Sequence, residues 1–395
     1  MSLQQQLTIY LAGRRYKGVK ELLDDNPGDL HNDPLAFQIF MNARRKKSSD
    51  PKDKIFALCG LFKELDIPFP APDYSRPIED VYREAVMSCI EYDKNLYILY
   101  YAPSDRRRDG LASWVPDFSE DGLKESDPRH PQIRGRFAAE GRRSSKWSFS
   151  EDGHGLVLVG KIVDRIIVRT DPIPAMDNIM PSANPEFKAE VPHQIHKAYA
   201  VLKSWVEISR WSDYPTGEST RDALQRTILN DNPKSTEETV TENSFDEWYN
   251  AMILQEQDFA ERVLRRGGGK NLTSIVPGLR ESVLRRVMQT ISLEQQTILG
   301  IGPRGMRFHT LAMAFSQKKC FFFTEKCYFG TAADPLPVSI VPGDKIAIVR
   351  GLEMPLALRR VEGGYKLLTH VYVHGIMHGE AWPEDEDGLE EIVLL

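Results

Sequence analysis

A chain of 395 residues, 41% hydrophobic and 27% charged, has the make-up of a globular protein of two or three domains, or of one large domain with insertions. Its net charge of −6 leaves no broad basic field for nucleic acid, and no apolar run approaches the roughly 18 residues that a membrane helix requires. Seven acids and no Lys or Arg lie between Glu380 and Glu391, so the rest of the chain is near +1 and residues 384–395 read as a solvated acidic tail. The first residues lack the basic start and apolar core of a secretory signal. Cys59, Cys89, Cys320 and Cys327 sit in apolar segments without CxxC spacing, which predicts reduced, buried thiols and a cytoplasmic location.

In chain order, residues 3–24 and 34–47 read as helices around a turn at Asn26-Pro27-Gly28. Asp50 and Pro51 open a short helical segment that runs into IFALCGL. Residues 77–92 form the clearest helix of the first half, with Ile78, Val81, Tyr82, Ala85, Val86, Cys89 and Ile90 on one stripe. LYILYYA (96–102) is apolar throughout and fits strand or helix. KWSF (146–149) and GLVLVGKIVDRIIVRT (155–170) are rich in β-branched residues and read as strands. The proline-punctuated stretch 171–192 reads as an extended connection. Residues 194–299 read as mostly helical, with Ser244-Phe-Asp-Glu247 as a capping box. KCFFFT (319–324), DKIAIVRG (344–351), LALRRV (356–361) and YKLLTHVYVHG (365–375) are short strands at regular spacing, as in a small sheet or barrel. Two strands cannot bury both faces of the nearly continuous apolar run 155–169, so it is expected to join these later strands.

Few motifs point to chemistry. GIGPRG (300–305) satisfies G-x-G-x-x-G, but a helix precedes it and Pro303 stands where a phosphate-binding turn donates an amide, so it reads as a helix-stopping loop. GGGKN (267–271) lacks the Ser or Thr of a phosphate loop. His193 and His196 read as a solvent-facing pair. His370, His374 and His378, spaced by four and followed by Glu380, would share a helix face and suit a metal. HVYVH favours a strand, however, and there the first two histidines stand roughly 13 Å apart. No nucleophile, base and oxyanion donor converge.

Several stretches together are similar to one family. DPKDKIFALCGL (50–61), PDYSRPIEDVYREA (72–85) and GLASWVPDFS (110–119) resemble the fungal heterokaryon-incompatibility (HET) proteins. FFFTEKCYFG (321–330), PGDKIAIVRG (342–351), PLALRR (355–360) and YVHGIMHGEA (372–381) resemble their C-terminal parts. The residues that carry the resemblance are Asp50, Asp53, Asp73, Tyr74, Trp114, Pro116, Asp117, Gly343, Asp344, Tyr372, His374, Gly375, Gly379 and Glu380. Ala112 stands where the family tends to have proline, Phe118 where it has tryptophan, and Thr369-His370 where it has Gly-Glu. The tyrosine-and-tryptophan motif that defines the HET domain is not found upstream of residue 50, so the resemblance is to the region downstream of that domain.

These readings predict an α+β fold: a helical N-terminal part and a helical insertion around a small, mostly antiparallel β-sheet or barrel. The expected division is N-terminal helices at 1–48, a HET-associated region at 49–170, and a connection with helical insertion at 171–300. A β module at 301–383 packs with 146–170, and the acidic tail follows. The resemblance implies a non-catalytic interaction or regulatory region of a self/non-self recognition and programmed cell death protein. It implies a protein partner, such as another HET protein; no cofactor or metal is expected, and charge and hydropathy patterning point away from nucleic acid and membrane. The competing readings are a metal-dependent hydrolase built on His370, His374 and His378, and a degenerate truncated remnant.

Overall fold

The computed structural model describes residues 35–44, 46–64, 68–69, 71–103, 107–119, 136–174, 185–231, 242–254, 301–333 and 339–395. The helix expected at 3–24 and the glycine run 267–271 lie outside these residues, as do the side chains of His193 and His196.

Helices α1 (Leu35–Arg44), α2 (Asp53–Phe56), α3 (Cys59–Glu64) and α4 (Ile78–Asp93) come first. The α4 stripe Val81, Tyr82, Ala85, Val86, Cys89 and Ile90 is buried as its spacing predicts. At its end, Asp93 turns back to α1 and accepts hydrogen bonds from the amides of Ala36 (3.0 Å) and Phe37 (2.8 Å). A carboxylate at the positive end of a helix satisfies amides that have no intrahelical acceptor. LYILYYA becomes a 3-10 helix, Tyr97–Tyr101. It runs into the same core as α1 and α4, where Tyr97 packs edge-on and Tyr101 tilted against Phe37.

The sheet holds β1 (Trp147–Phe149), β2 (Leu156–Arg169), β3 (Lys319–Thr324), β4 (Phe329–Ala333), β5 (Lys345–Val349), β6 (Leu356–Val361), β7 (Gly364–Val373) and β8 (Glu390–Leu394). Its order is β1-β2-β3-β4-β7-β6-β5, and β5 returns to pair with β2. Strands β2, β3, β4, β7, β6 and β5 therefore close a ring of antiparallel pairs. Closure removes the open edges that a flat sheet would expose. The long β2 serves several partners because its register shifts at Ile162/Asp164 and Ile166/Val168 bend it. Gly160 permits the close approach of β5, since a Cβ there would strike the Ile348 carbonyl oxygen.

Alternate side chains go to different cores. Cys320, Phe322, Ile346, Ile348, Ala357, Val371 and Val373 fill the ring. Phe321, Phe323 and Phe329 face outward into a second core. That core is supplied by α5 (Pro185–Ser209), α6 (Thr220–Leu229), α7 (Glu242–Leu254) and α8 (Pro303–Ser316). Leu356, Leu358, Leu367 and Tyr372 face α1–α4 on another side. The run KCFFFT is apolar on both faces because both are covered. The architecture is the α+β class that the pattern predicts.

Four details differ from the sequence reading. Helix α5 begins at Pro185, inside the stretch expected to be extended; proline suits a first helical turn. Helix α7 begins at Glu242, so Ser244 lies within its first turn rather than capping it. Pro303 starts α8 with Gly302 as its N-cap, so GIGPRG opens a helix. The acidic tail is not a free end: β8 pairs with β2 from Leu156↔Leu394 to Gly160↔Glu390, with Ile392 and Leu394 buried. The acids do not oppose this pairing, because Glu390 and Glu391 stay exposed while Ile392 and Leu394 are buried. Of the four thiols, Cys89 and Cys320 are buried, while Cys59 and Cys327 are half-buried.

Candidate functional site

The residues carrying the family resemblance occupy separate places. Asp50 accepts the Lys52 amide at 2.8 Å and shapes the turn into α2. Asp53 accepts the Tyr74 hydroxyl, and Lys52 Nζ donates to the Tyr74 carbonyl at 2.7 Å. Tyr74 leaves 54% of its surface in water. Asp73 accepts the Ser75 hydroxyl (2.6 Å) and amide (2.9 Å), bonds that hold its carboxyl below the usual range. This is a surface latch between two loops.

The second group is the loop Trp114–Phe118. Trp114 is fully buried, packs on Phe149 and donates its indole N–H to the His154 carbonyl at 3.2 Å. Pro116 is buried with it. Asp117 is buried too, and its carboxylate accepts the amides of Arg108 and Ser119, each at 2.9 Å. Phe118 lies edge-on to Tyr82 and beside Phe40. The third group is the β5 entry turn, where Gly343 adopts φ 102° and Asp344 pairs with Arg359.

The fourth group is the end of β7, the most chemically loaded of the four. His374 is buried; Nε2 meets Glu218 Oε1 at 2.8 Å and Nδ1 meets the Tyr372 hydroxyl at 2.9 Å. With Nε2–H donating to the carboxylate, Nδ1 accepts from the tyrosine, so the three groups form one directed chain. Tyr214 stacks on the imidazole at 5.6 Å and donates its hydroxyl to the His374 carbonyl at 2.8 Å. Burial pushes the phenols of Tyr214 and Tyr372 well above their ordinary range, so both remain neutral donors. Gly375 takes φ 87°, and a Cβ there would stand 2.8 Å from the Thr216 methyl. The turn that aims His374 at the 214–218 loop thus requires glycine. Gly379 takes φ 97°, and Glu380 is exposed and accepts the His378 amide at 2.7 Å.

The other two histidines face elsewhere. His370 stands edge-on to Tyr100, and exposed His378 lies against Phe137. Among the described residues no group of three or more His, Cys, Asp or Glu stands close enough to hold a metal ion. At the GIGPRG turn, the Glu247 carboxylate lies against Gly302, which sets a negative charge where a bound phosphate would sit.

Sequence reading missed Glu218 and Tyr214, which lie about 160 positions from His374 and carry no motif. It also missed Glu140. This carboxyl is 3% exposed, and its Oε2 has no hydrogen-bond partner among the described residues. Burial is the main reason its pKa rises to about 6; backbone amides oppose the shift and nearby Glu353 adds to it. A raised carboxyl pKa favours the fold below the unfolded value of 4.5 and loses that advantage as pH rises through 6. Glu140→Gln should therefore stabilise the protein by about 1–2 kcal/mol above pH 6 and leave it unchanged near pH 4.5. Urea denaturation at both pH values checks this, and an equal gain at both would refute the assignment.

The fold and this packed corner define an antiparallel barrel clasped by helices, its strand end tied by polar bonds to the helical segment. Residues 223–388 match the family model of the Het-6 beta-barrel domain. That stretch is thus similar to a domain of the heterokaryon-incompatibility group, in line with the resemblance read from the motifs. The matched range begins in α6 and so takes in Asn230, α8 and the strands β3–β7. No curated protein and no solved structure matches the chain.

Proposed function

We propose that this chain is a non-catalytic interaction and regulatory region acting in heterokaryon incompatibility, the self/non-self recognition that ends in programmed cell death, and that it works in the cytoplasm through a protein partner such as another HET protein. The observation that carries this reading is the state of His374. Both of its ring nitrogens bond within the chain, and Tyr214 covers its face. The most reactive-looking constellation therefore serves as a brace between the barrel and the 214–218 loop. A general base has to reach a substrate proton directly or through one water, and this imidazole is spent on Tyr372 and Glu218. No helix among the described residues is long and apolar enough to cross a membrane.

The test has two arms. Purified chain incubated with NAD, esters and phosphate esters, with zinc or manganese added, should show no turnover. Tagged chain expressed in a fungal host with a full-length HET protein should co-precipitate with it and alter its cell-death response. Turnover abolished by His374→Ala overturns the reading in favour of an enzyme. Failure to bind or influence any HET protein tested overturns the interaction role.

A further inference from the structure

Strand register sets Lys319 on the outer face of the barrel, and a hydrogen-bonded chain through Asn230 sets Arg136 beside the same face. Lys319 pairs with Ala333, and two residues along β4 Thr331 pairs with both Phe321 and Tyr372. In a strand, residues two apart share a face. Lys319, Thr331 and Tyr372 therefore look the same way, toward the end of α6. There Thr331 Oγ1 donates to Asn230 Oδ1 at 2.6 Å, and the Asn230 carbonyl accepts Arg136 Nη2. Arg136 lies 4.8 Å over the Phe137 ring, which in turn packs 5.8 Å from Tyr372.

Among the described residues neither cation has a salt-bridge partner. Arg136 Nε is buried without a hydrogen-bond partner among the described residues. Burial, followed by the like charge of Arg136, lowers the Lys319 pKa to about 8, with no opposing carboxylate among the described residues. Asp231, exposed at the α6 end, acts on Arg136 only from a distance. Two half-buried cations held side by side repel each other and forgo hydration, and such an arrangement is unfavourable unless an anion occupies it. A guanidinium with a spare N–H and a flexible ammonium suit tetrahedral oxyanions. Both residues keep part of their surface in water, which leaves the place open to a ligand.

We propose that Arg136 and Lys319, backed by Phe137 and Tyr372, form a binding site for the dianionic phosphate group of a small phosphomonoester. The site is independent of the interaction role proposed above, because its ligand need not be a partner protein.

The experiment uses the full chain. Inorganic phosphate is titrated against sodium chloride at matched ionic strength, with thermal unfolding and calorimetry as readouts. Phosphate should raise the melting temperature saturably, with a dissociation constant on the order of millimolar, where chloride does not. Lys319→Met should weaken phosphate binding about tenfold or more while keeping the side-chain volume, and Lys319→Arg should retain it. Without ligand, Lys319→Met should melt no lower than the parent, which separates lost binding from lost folding. An equal rise in chloride, or undiminished phosphate binding by Lys319→Met, overturns the site. A second arm compares glycerol phosphate with a phosphoserine peptide, and tighter binding of the peptide overturns the small-molecule assignment.

Discussion

Trp114→Ala is expected to cost the fold about 3–5 kcal/mol, the range for truncating a large buried aromatic. Trp114 has 0% of its surface exposed and belongs to the core shared by α1, α4 and the β2, β5–β8 face. Alanine removes the contact with Phe149 and leaves a cavity that Pro116 prevents the loop from closing, because proline fixes its own φ and restricts Val115 before it. The His154 carbonyl also loses its indole donor. Trp114→Phe refills most of the space and forfeits only that bond, so its loss should be about 1–2 kcal/mol. Urea unfolding of both variants gives the comparison. A melting curve scarcely moved by Trp114→Ala would mean that the loop is a surface feature rather than a core plug.

Asp344→Ala is expected to destabilise by about 2–3 kcal/mol, somewhat below the loss for splitting a wholly buried ion pair. The carboxylate is 3% exposed. It accepts Val341 N–H at 2.7 Å, Arg359 Nε at 2.9 Å and Arg359 Nη2 at 2.8 Å. Its removal leaves an amide and a guanidinium without their acceptor, but the Arg359 side chain is 34% exposed and recovers part of its hydration. Arg359 also donates to the Ser339 carbonyl at 2.8 Å, which ties the approach of β5 to β6. Asp344→Ala combined with Arg359→Met should be no worse than Asp344→Ala alone, since the second change removes the stranded charge. Additive losses in that double-mutant cycle would show that the two side chains act independently.

Local pattern was enough for the elements whose burial follows from their own residues. The 3.6-residue stripe from Val81 to Ile90 and the apolar, turn-bounded runs of β2, β5, β6 and β7 carry their conformation in a short window. The turn residues around Gly343 and Gly375 are equally visible, because positive φ selects glycine within a few positions. The same short motifs sufficed to indicate the heterokaryon-incompatibility resemblance. Strand β4, FGTAA, has neither alternation nor β-branched weight beyond Thr331, and it is a strand because β3 and β7 flank it. Strand β8 hides behind a run of acids and is drawn in by β2. The closing pair β2–β5, the Glu218 partner of His374 and the meeting of Arg136 with Lys319 each join residues more than 150 positions apart. No local periodicity encodes such pairs. They arise when apolar faces on several elements must be covered at once, and the polar groups carried along find partners only in the packed structure.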